Sequence, residues 1–88
     1  MRQTKNKTLD QCLHLLMEVV DFLTSSEDAQ CSMDLRDDIV IFTVKIPQEE
    51  AGRVIGKYGD TIKSIRSVFY NVTMSQHRLR SNVIVEPI

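Results

Sequence analysis

The stretch GRVIGKYGDTI, from Gly52 to Ile62, decides how this chain is to be interpreted. It holds all three glycines of the 88-residue protein, and a lysine follows the second of them. Glycines beside a lysine are typical of loops that bind phosphate oxygens with backbone N–H groups. Such a loop binds the phosphate of a nucleotide or the backbone phosphates of a nucleic acid.

The spacing of the glycines argues against a nucleotide-binding P-loop. A P-loop has four residues between its glycines, a Ser or Thr after its lysine, and a strand before it. Here three residues separate Gly52 from Gly56, Tyr58 follows the lysine, and the preceding segment has a helical pattern. The dinucleotide-binding motif G-x-G-x-x-G is also absent from the sequence.

A tight turn between two helices fits Gly56–Gly59 better. Gly56 ends the first helix in a left-handed conformation, and Gly59 lets another backbone approach closely because it has no side chain. The N–H groups that open the next helix then face outward and attract phosphate oxygens. The spacing alone is also compatible with a plain turn between helices that binds nothing.

The apolar pattern predicts six elements around this turn. Thr8 and Gln11 form a capping box before a helix whose apolar residues recur at helical spacing as far as Leu23. Strict alternation of apolar and polar residues predicts the first strand, and a β-branched run predicts the second. The expected elements are helix 9–23, strands 29–36 and 39–46, helices 48–55 and 60–76, and strand 79–86.

The connections between these elements predict an α+β fold. A two-residue turn, Asp37-Asp38, joins the first two strands into an antiparallel hairpin. The connection through two helices returns the chain in the same direction, so the second and third strands should be parallel. We therefore expect a three-stranded mixed sheet covered on one side by three helices, in the order α-β-β-α-α-β.

Length and composition indicate one small globular domain. Hydrophobic residues make up 42% and charged residues 26%, which is ordinary for a folded domain. We assign residues 8–88 to this domain and the polar residues 1–7 to a flexible N-terminus. No segment approaches the ~20 apolar residues of a membrane span, so we expect a soluble, cytoplasmic protein without a membrane partner.

The chemistry-bearing residues do not indicate an enzyme. Cys12 and Cys31 have neither metal-binding nor disulfide spacing, so we expect buried thiols in a reducing compartment. His14 and His77 stand alone, and no nucleophile–base pair or pair of carboxylates has supporting spacing. We predict no catalytic residue, no metal site, no cofactor and no small-molecule substrate.

Charge is distributed unevenly along the chain. Residues 1–52 hold five Lys or Arg against ten Asp or Glu, whereas residues 53–88 hold six against two. The net charge is therefore −5 in the first segment and +4 in the second, although the whole chain carries only −1. Positive charge around the loop favours an anionic ligand, although charges also cluster on surfaces by chance.

Residues 54–65, VIGKYGDTIKSI, resemble the signature of K-homology (KH) domains, [V/I]-I-G-x-x-G-x-x-[I/L]-x-x-[I/L], at every fixed position. The predicted order α-β-β-α-α-β resembles the type II KH fold. Residues 46–59, IPQEEAGRVIGKYG, resemble small standalone bacterial RNA-binding proteins of the KhpA type, which carry I-P-x-E-E-A-G-R-V-I-G-K-x-G. The resemblance extends over residues 9–86.

KH domains clamp about four nucleotides of single-stranded RNA or DNA with their G-x-x-G loop. The resemblance implies this function for the present chain, in bacterial post-transcriptional regulation. In the implied groove, Val40 to Val44 would form the wall opposite the loop. The implied RNA-binding residues are Gly56, Lys57, Tyr58 and Gly59 for the phosphates, Val54, Ile55 and Ile62 for loop support and an apolar floor, and Arg53, Lys63 and Arg66 for electrostatic attraction.

Several of these residues have a second interpretation. Val54, Ile55 and Ile62 fit a hydrophobic core as well as an apolar floor. Arg66 fits a solvated helix surface, and Tyr58 either stacks on a base or covers the loop.

The KhpA type is associated with pairing to a second KH protein, so the resemblance implies a homodimer or a heterodimer with another KH protein. The apolar pattern of the first helix also favours a dimer, because Leu15, Val19 and Phe22 lie outside the stripe that one sheet face can bury. Tyr70 should likewise point away from the core. A wide stripe shared between the sheet and neighbouring helices is the alternative. The competing function is a KH-like dimerisation or protein-interaction module with weak or no nucleic-acid binding.

Overall fold

The computed structural model describes residues 8–25 and 27–88 and confirms the predicted order of elements. The bounds differ from those predicted by one residue at the start of β1, at the end of α3 and at both ends of β3. The predicted flexible segment, residues 1–7, lies outside the described residues. The elements are α1 (Leu9–Leu23), β1 (Gln30–Arg36), β2 (Ile39–Ile46), α2 (Gln48–Ile55), one 3-10 turn (Lys57–Gly59), α3 (Asp60–His77) and β3 (Arg80–Pro87).

Helix α1 begins and ends where its sequence caps it. Thr8 Oγ1 accepts a hydrogen bond from the Gln11 N–H at 3.0 Å, and Gln11 Oε1 accepts one from the Thr8 N–H at 2.8 Å. This is the predicted capping box. At the other end, the Thr24 hydroxyl donates to the Val20 carbonyl oxygen at 3.0 Å. Between the two caps, Leu16 and Val20 are buried in the core.

Strand β2 lies in the centre of the sheet, with β1 antiparallel on one side and β3 parallel on the other. Every second residue of β2, from Val40 to Ile46, has no exposed surface, because the three helices cover this face of the sheet. The Phe42 ring meets the Phe69 ring of α3 edge to face, with 5.5 Å between the ring centroids. This α+β architecture is the one predicted for a type II KH domain.

The start of β3 is bound to the hairpin turn. The Arg80 N–H donates to the Asp38 carbonyl oxygen at 3.0 Å, and Arg80 Nη2 donates to the Asp38 carboxylate at 3.0 Å. The second hydrogen bond holds the pKa of the Asp38 carboxyl below its usual value. Because the Arg80 N–H points toward β2, the backbone groups of residues 81, 83 and 85 point to the free edge of the sheet.

The buried face of α1 can be tested with two adjacent residues. Leu16→Ala should lower the free energy of unfolding by about 2–5 kcal/mol, because it leaves a cavity in the core. Met17 is exposed, so Met17→Ala should cost less than about 1 kcal/mol. Urea denaturation followed by far-ultraviolet circular dichroism measures both changes. Equal losses would contradict the assignment of this face.

Candidate nucleic-acid interface

A single turn of backbone joins α2 to α3. The Gly56 N–H ends α2 by donating to a carbonyl oxygen one turn earlier, at 2.8 Å. The Gly59 N–H donates to the Gly56 carbonyl oxygen at 3.1 Å, and the Asp60 N–H donates to that of Lys57 as α3 begins. Backbone hydrogen bonds within the loop Gly56–Gly59 and to its neighbours therefore determine its shape.

Gly56 is the position where the loop and α3 come closest. Its backbone has φ 79° and ψ 173°, a conformation that is essentially restricted to glycine. A Cβ atom at this position would lie 2.6 Å from the Thr61 Cβ atom and 2.9 Å from the Thr61 backbone nitrogen. No side chain fits in this gap, so glycine at this position lets α3 begin directly after the loop.

Gly59 needs its glycine for a different reason. Its φ of 76° is left-handed, yet a Cβ atom here would meet nothing closer than the Lys63 Cε atom, at 3.9 Å. The space in front of Gly59 is therefore open, and the Lys63 side chain borders it. A phosphate that enters this space approaches the N-terminus of α3, where the helix dipole is positive.

Gly52 has no packing reason to be glycine. It is exposed inside α2, and a Cβ atom there would have no heavy atom within 4 Å. Glycine inside a helix costs about 0.5–1 kcal/mol relative to alanine. The residue leaves a bare patch of helix backbone one turn before the loop.

Lys57 and Tyr58 form the exposed tip of the loop. Tyr58 is 83% exposed, which excludes the interpretation that its ring covers the loop. The Lys57 Nζ atom lies 5.4 Å from the centroid of the Tyr58 ring, within the range of a cation–π contact.

Arg53 and Lys63 lie on either side of the loop, and both are exposed. Arg53 Nη1 lies 3.9 Å from Glu50 Oε2, so a carboxylate one turn away partly neutralises this charge. The Arg53 side chain is 61% exposed, whereas that of Glu50 is only 18% exposed, so the guanidinium keeps an open side that a phosphate can approach. Asp60 lies in the first turn of α3, where the helix dipole stabilises its negative charge, but the same charge repels phosphate.

The prediction that Val40 to Val44 form one wall of the groove is wrong. The side chains of β2 that face the helices have no exposed surface, and the strand is paired on both sides. The edge strand β3 lies beside α3 instead. Arg66 Nε donates to the Val83 carbonyl oxygen at 2.9 Å, and Asn82 Oδ1 accepts from the Val83 N–H at 2.9 Å. Arg66 therefore lies against the β3 edge and is not a freely solvated helix residue.

The three apolar residues of the motif have different positions. Val54 has no exposed surface and Ile62 is 5% exposed, so both hold the loop against the core and present little surface to a ligand. Ile55 is half-buried at the end of α2 and retains surface for an apolar contact.

The described residues contain neither a metal-binding cluster nor a thiol with a lowered pKa. Within residues 8–25 and 27–88, no group of three His, Cys, Asp or Glu side chains could hold a metal ion. Burial raises the pKa of the Cys12 thiol, and burial together with the Asp21 carboxylate raises that of Cys31 to about 11. Both thiols therefore stay protonated at neutral pH. None of the described helices is long and apolar enough to cross a membrane.

Comparison with known proteins points to the same family as the loop motif. The family model described as KhpA/KhpB, KH domain, matches residues 14–85. The chain belongs to the KhpA/KhpB family of KH domains. Two relatives are the RNA-binding protein KhpA of Streptococcus pneumoniae serotype 4 and that of serotype 2. Each KhpA is 30% identical over 74 residues, which cover 82% of this chain and 92% of the relative.

Alanine at each of the three glycines tests the geometry of the loop. Gly52→Ala should raise the free energy of unfolding by about 0.5–1 kcal/mol, because a better helix former enters open space. Gly59→Ala should lower it by about 1–2 kcal/mol through its left-handed backbone alone. Gly56→Ala should lower it by about 3 kcal/mol or more, because the collision with Thr61 is added to the backbone strain. Chemical denaturation gives the order, and equal effects at Gly56 and Gly59 would contradict the close contact.

Proposed function

We propose that this protein binds single-stranded RNA by clamping the backbone of about four nucleotides with the loop Gly56–Gly59. The observation that carries this proposal is the open space in front of Gly59, which Lys63 borders. Lys57 is close to this space in sequence, so positive charge gathers here although acidic residues slightly outnumber basic ones in the whole chain. The KhpA relatives are named RNA-binding proteins. We place the function in post-transcriptional regulation in the bacterial cytoplasm.

The clamp acts on the phosphates of the strand. Phosphate oxygens approach Gly59 and the N-terminus of α3, where the helix dipole and the Lys63 ammonium attract them. Lys57 adds a mobile charge at the tip, and Arg53 and Arg66 extend the positive surface before and after the loop. Contacts of this kind position the strand but do not read its sequence.

The bases of the clamped strand would lie over Ile55 and along the β3 edge. The phosphates of single-stranded DNA are the same, so we expect DNA to compete with RNA at this site. Discrimination between the two depends on contacts with the 2′-hydroxyl groups.

A double substitution at the loop tip tests the clamp. Lys57→Asp combined with Tyr58→Asp should leave the fold intact, because both side chains are exposed. The double variant should bind labelled single-stranded RNA at least tenfold more weakly, because three units of negative charge are added where phosphates bind. Fluorescence anisotropy measures the dissociation constant.

The matched control places the same charge change on β1. Gln30→Asp combined with Arg36→Asp also adds three negative units, at exposed positions of the sheet's far edge strand. This control should bind nearly as the parent does. Parent-like binding by the loop variant would place the RNA site elsewhere.

The dependence of affinity on salt tests the surrounding cations. Arg53→Ala, Lys63→Ala and Arg66→Ala should each weaken binding to all sequences alike. The slope of log affinity against log salt should fall by about 0.7 for each lost contact with a single-strand phosphate. Arg36→Ala is the control, and its slope should equal that of the parent. Three unchanged slopes would leave Arg53, Lys63 and Arg66 as ordinary surface residues.

An apolar groove between α1 and α3 supports the dimer part of the proposal. Leu15 is 44% exposed and Val68 is 53% exposed, and Phe22 at the end of α1 is almost fully exposed. Residues 67–76 of α3 contain no charged side chain. The groove is lined by Gln11, Cys12, Leu15, Val19, Ser64, Ile65, Val68, Phe69, Val72 and Gln76.

We propose that a second copy of this chain covers the groove. An uncharged helix face with exposed apolar residues is typical of an interface, and in a two-fold dimer each copy offers the same surface to the other. One KH domain grips only about four nucleotides. Two linked copies on one strand would gain affinity from the raised effective concentration of the second site.

Sedimentation of the purified protein at tens of micromolar tests the dimer. Val68→Glu should shift the protein to a monomer, because it places a charge in the groove. Ile84→Glu is the control, since Ile84 is exposed on the helix-free face of the sheet. A parent protein that stays monomeric with and without RNA contradicts the homodimer and leaves a heterodimer with another KH protein.

The same groove favours the competing function, a KH-like module for protein interaction with weak or no nucleic-acid binding. The two functions separate in one comparison. A pure interaction module would dimerise through the groove, and its parent chain would bind RNA no better than the loop variant does.

A further inference from the structure

Tyr58 is held in a backbone conformation that does not suit an aromatic residue. Its φ of 58° and ψ of 19° are left-handed, a region that Gly and Asn adopt more readily because a Cβ atom is crowded there. The ring is 83% exposed, so it contributes little to the core. A strained residue that the packing does not need indicates a role outside the fold.

The surroundings of the ring favour a nucleic acid over a protein partner. The Lys57 Nζ atom lies 5.4 Å from the ring centroid, and α3 begins two residues later. An ammonium group beside an exposed ring matches a ligand that joins a phosphate to a flat base. An aromatic anchor for a protein would lie inside an apolar patch, whereas Tyr58 lies between Lys57 and Gly59.

We propose that Tyr58 stacks on a base adjacent to the phosphates in the loop and so determines which base is preferred there. This inference rests on the proposed binding of single-stranded RNA. The base packs on the exposed ring while Lys57 moves to the neighbouring phosphate, so the two side chains bind two parts of one nucleotide. Purines present the larger stacking surface, and we therefore expect a purine at this position.

Two substitutions and three ligands test the stacking. The ligands are labelled oligoadenylate, oligouridylate and an abasic strand of the same length, with binding followed by fluorescence anisotropy. Tyr58→Ala should weaken binding to oligoadenylate by about 10- to 100-fold and to oligouridylate by less. It should leave binding to the abasic strand unchanged, and Tyr58→Phe should bind all three ligands as the parent does.

The chain also provides a direct spectroscopic readout. It contains no tryptophan and only two tyrosines, Tyr58 and Tyr70. Oligoadenylate should quench the tyrosine emission of the parent. In Tyr58→Phe, which keeps an aromatic ring but loses the fluorophore at this position, the quenching should disappear although binding persists.

Each outcome decides the inference. Equal weakening of oligoadenylate and abasic binding by Tyr58→Ala overturns stacking and assigns the side chain to the backbone contacts. A parent that binds oligoadenylate without any effect of Tyr58→Ala also overturns stacking and leaves the ring for a protein partner. A parent that binds none of the three strands overturns the proposed function itself, a result distinct from the other two.

Discussion

The contact between Gly56 and Thr61 is the constraint on which the rest of the site depends. Because Gly56 has no side chain to collide with Thr61, α3 can start directly after the loop. Between Gly56 and the start of α3, the chain makes the turn with positive φ angles at Tyr58 and Gly59. The open space at Gly59 and the exposed tip follow from this turn, and further along α3 Arg66 reaches the edge of β3.

The order of elements was predictable because each one carries a local signal. The capping box at Thr8 and the alternation in the first two strands depend on neighbours within a few residues. The ends carry weaker signals, as Pro87 shows. The sequence predicts that the last strand stops at residue 86, yet Pro87 is the last residue of β3, where its missing N–H would point to the free edge and so costs no hydrogen bond of the sheet.

The interface was only partly predictable because it depends on tertiary neighbours. The loop residues follow from the motif, but the wall was misassigned to Val40–Val44 although the predicted topology already made that strand central. Only the packing shows that Ile62 is buried and that Arg66 is bonded to Val83. The motif places Gly56 at the end of α2 and Gly52 within it, but only the packing shows that Gly52 has empty space around it and that Gly56 has none.

The central claim is that the loop, the start of α3 and the β3 edge form one surface for single-stranded RNA. Titration of isotope-labelled protein with a short RNA, followed by the chemical shifts of the backbone amides, tests it most directly. We expect saturable shifts at residues 56–63 and 81–84, with β1 unchanged. Saturable shifts confined to the groove between α1 and α3, or to β1, would contradict it, as would the absence of saturable shifts.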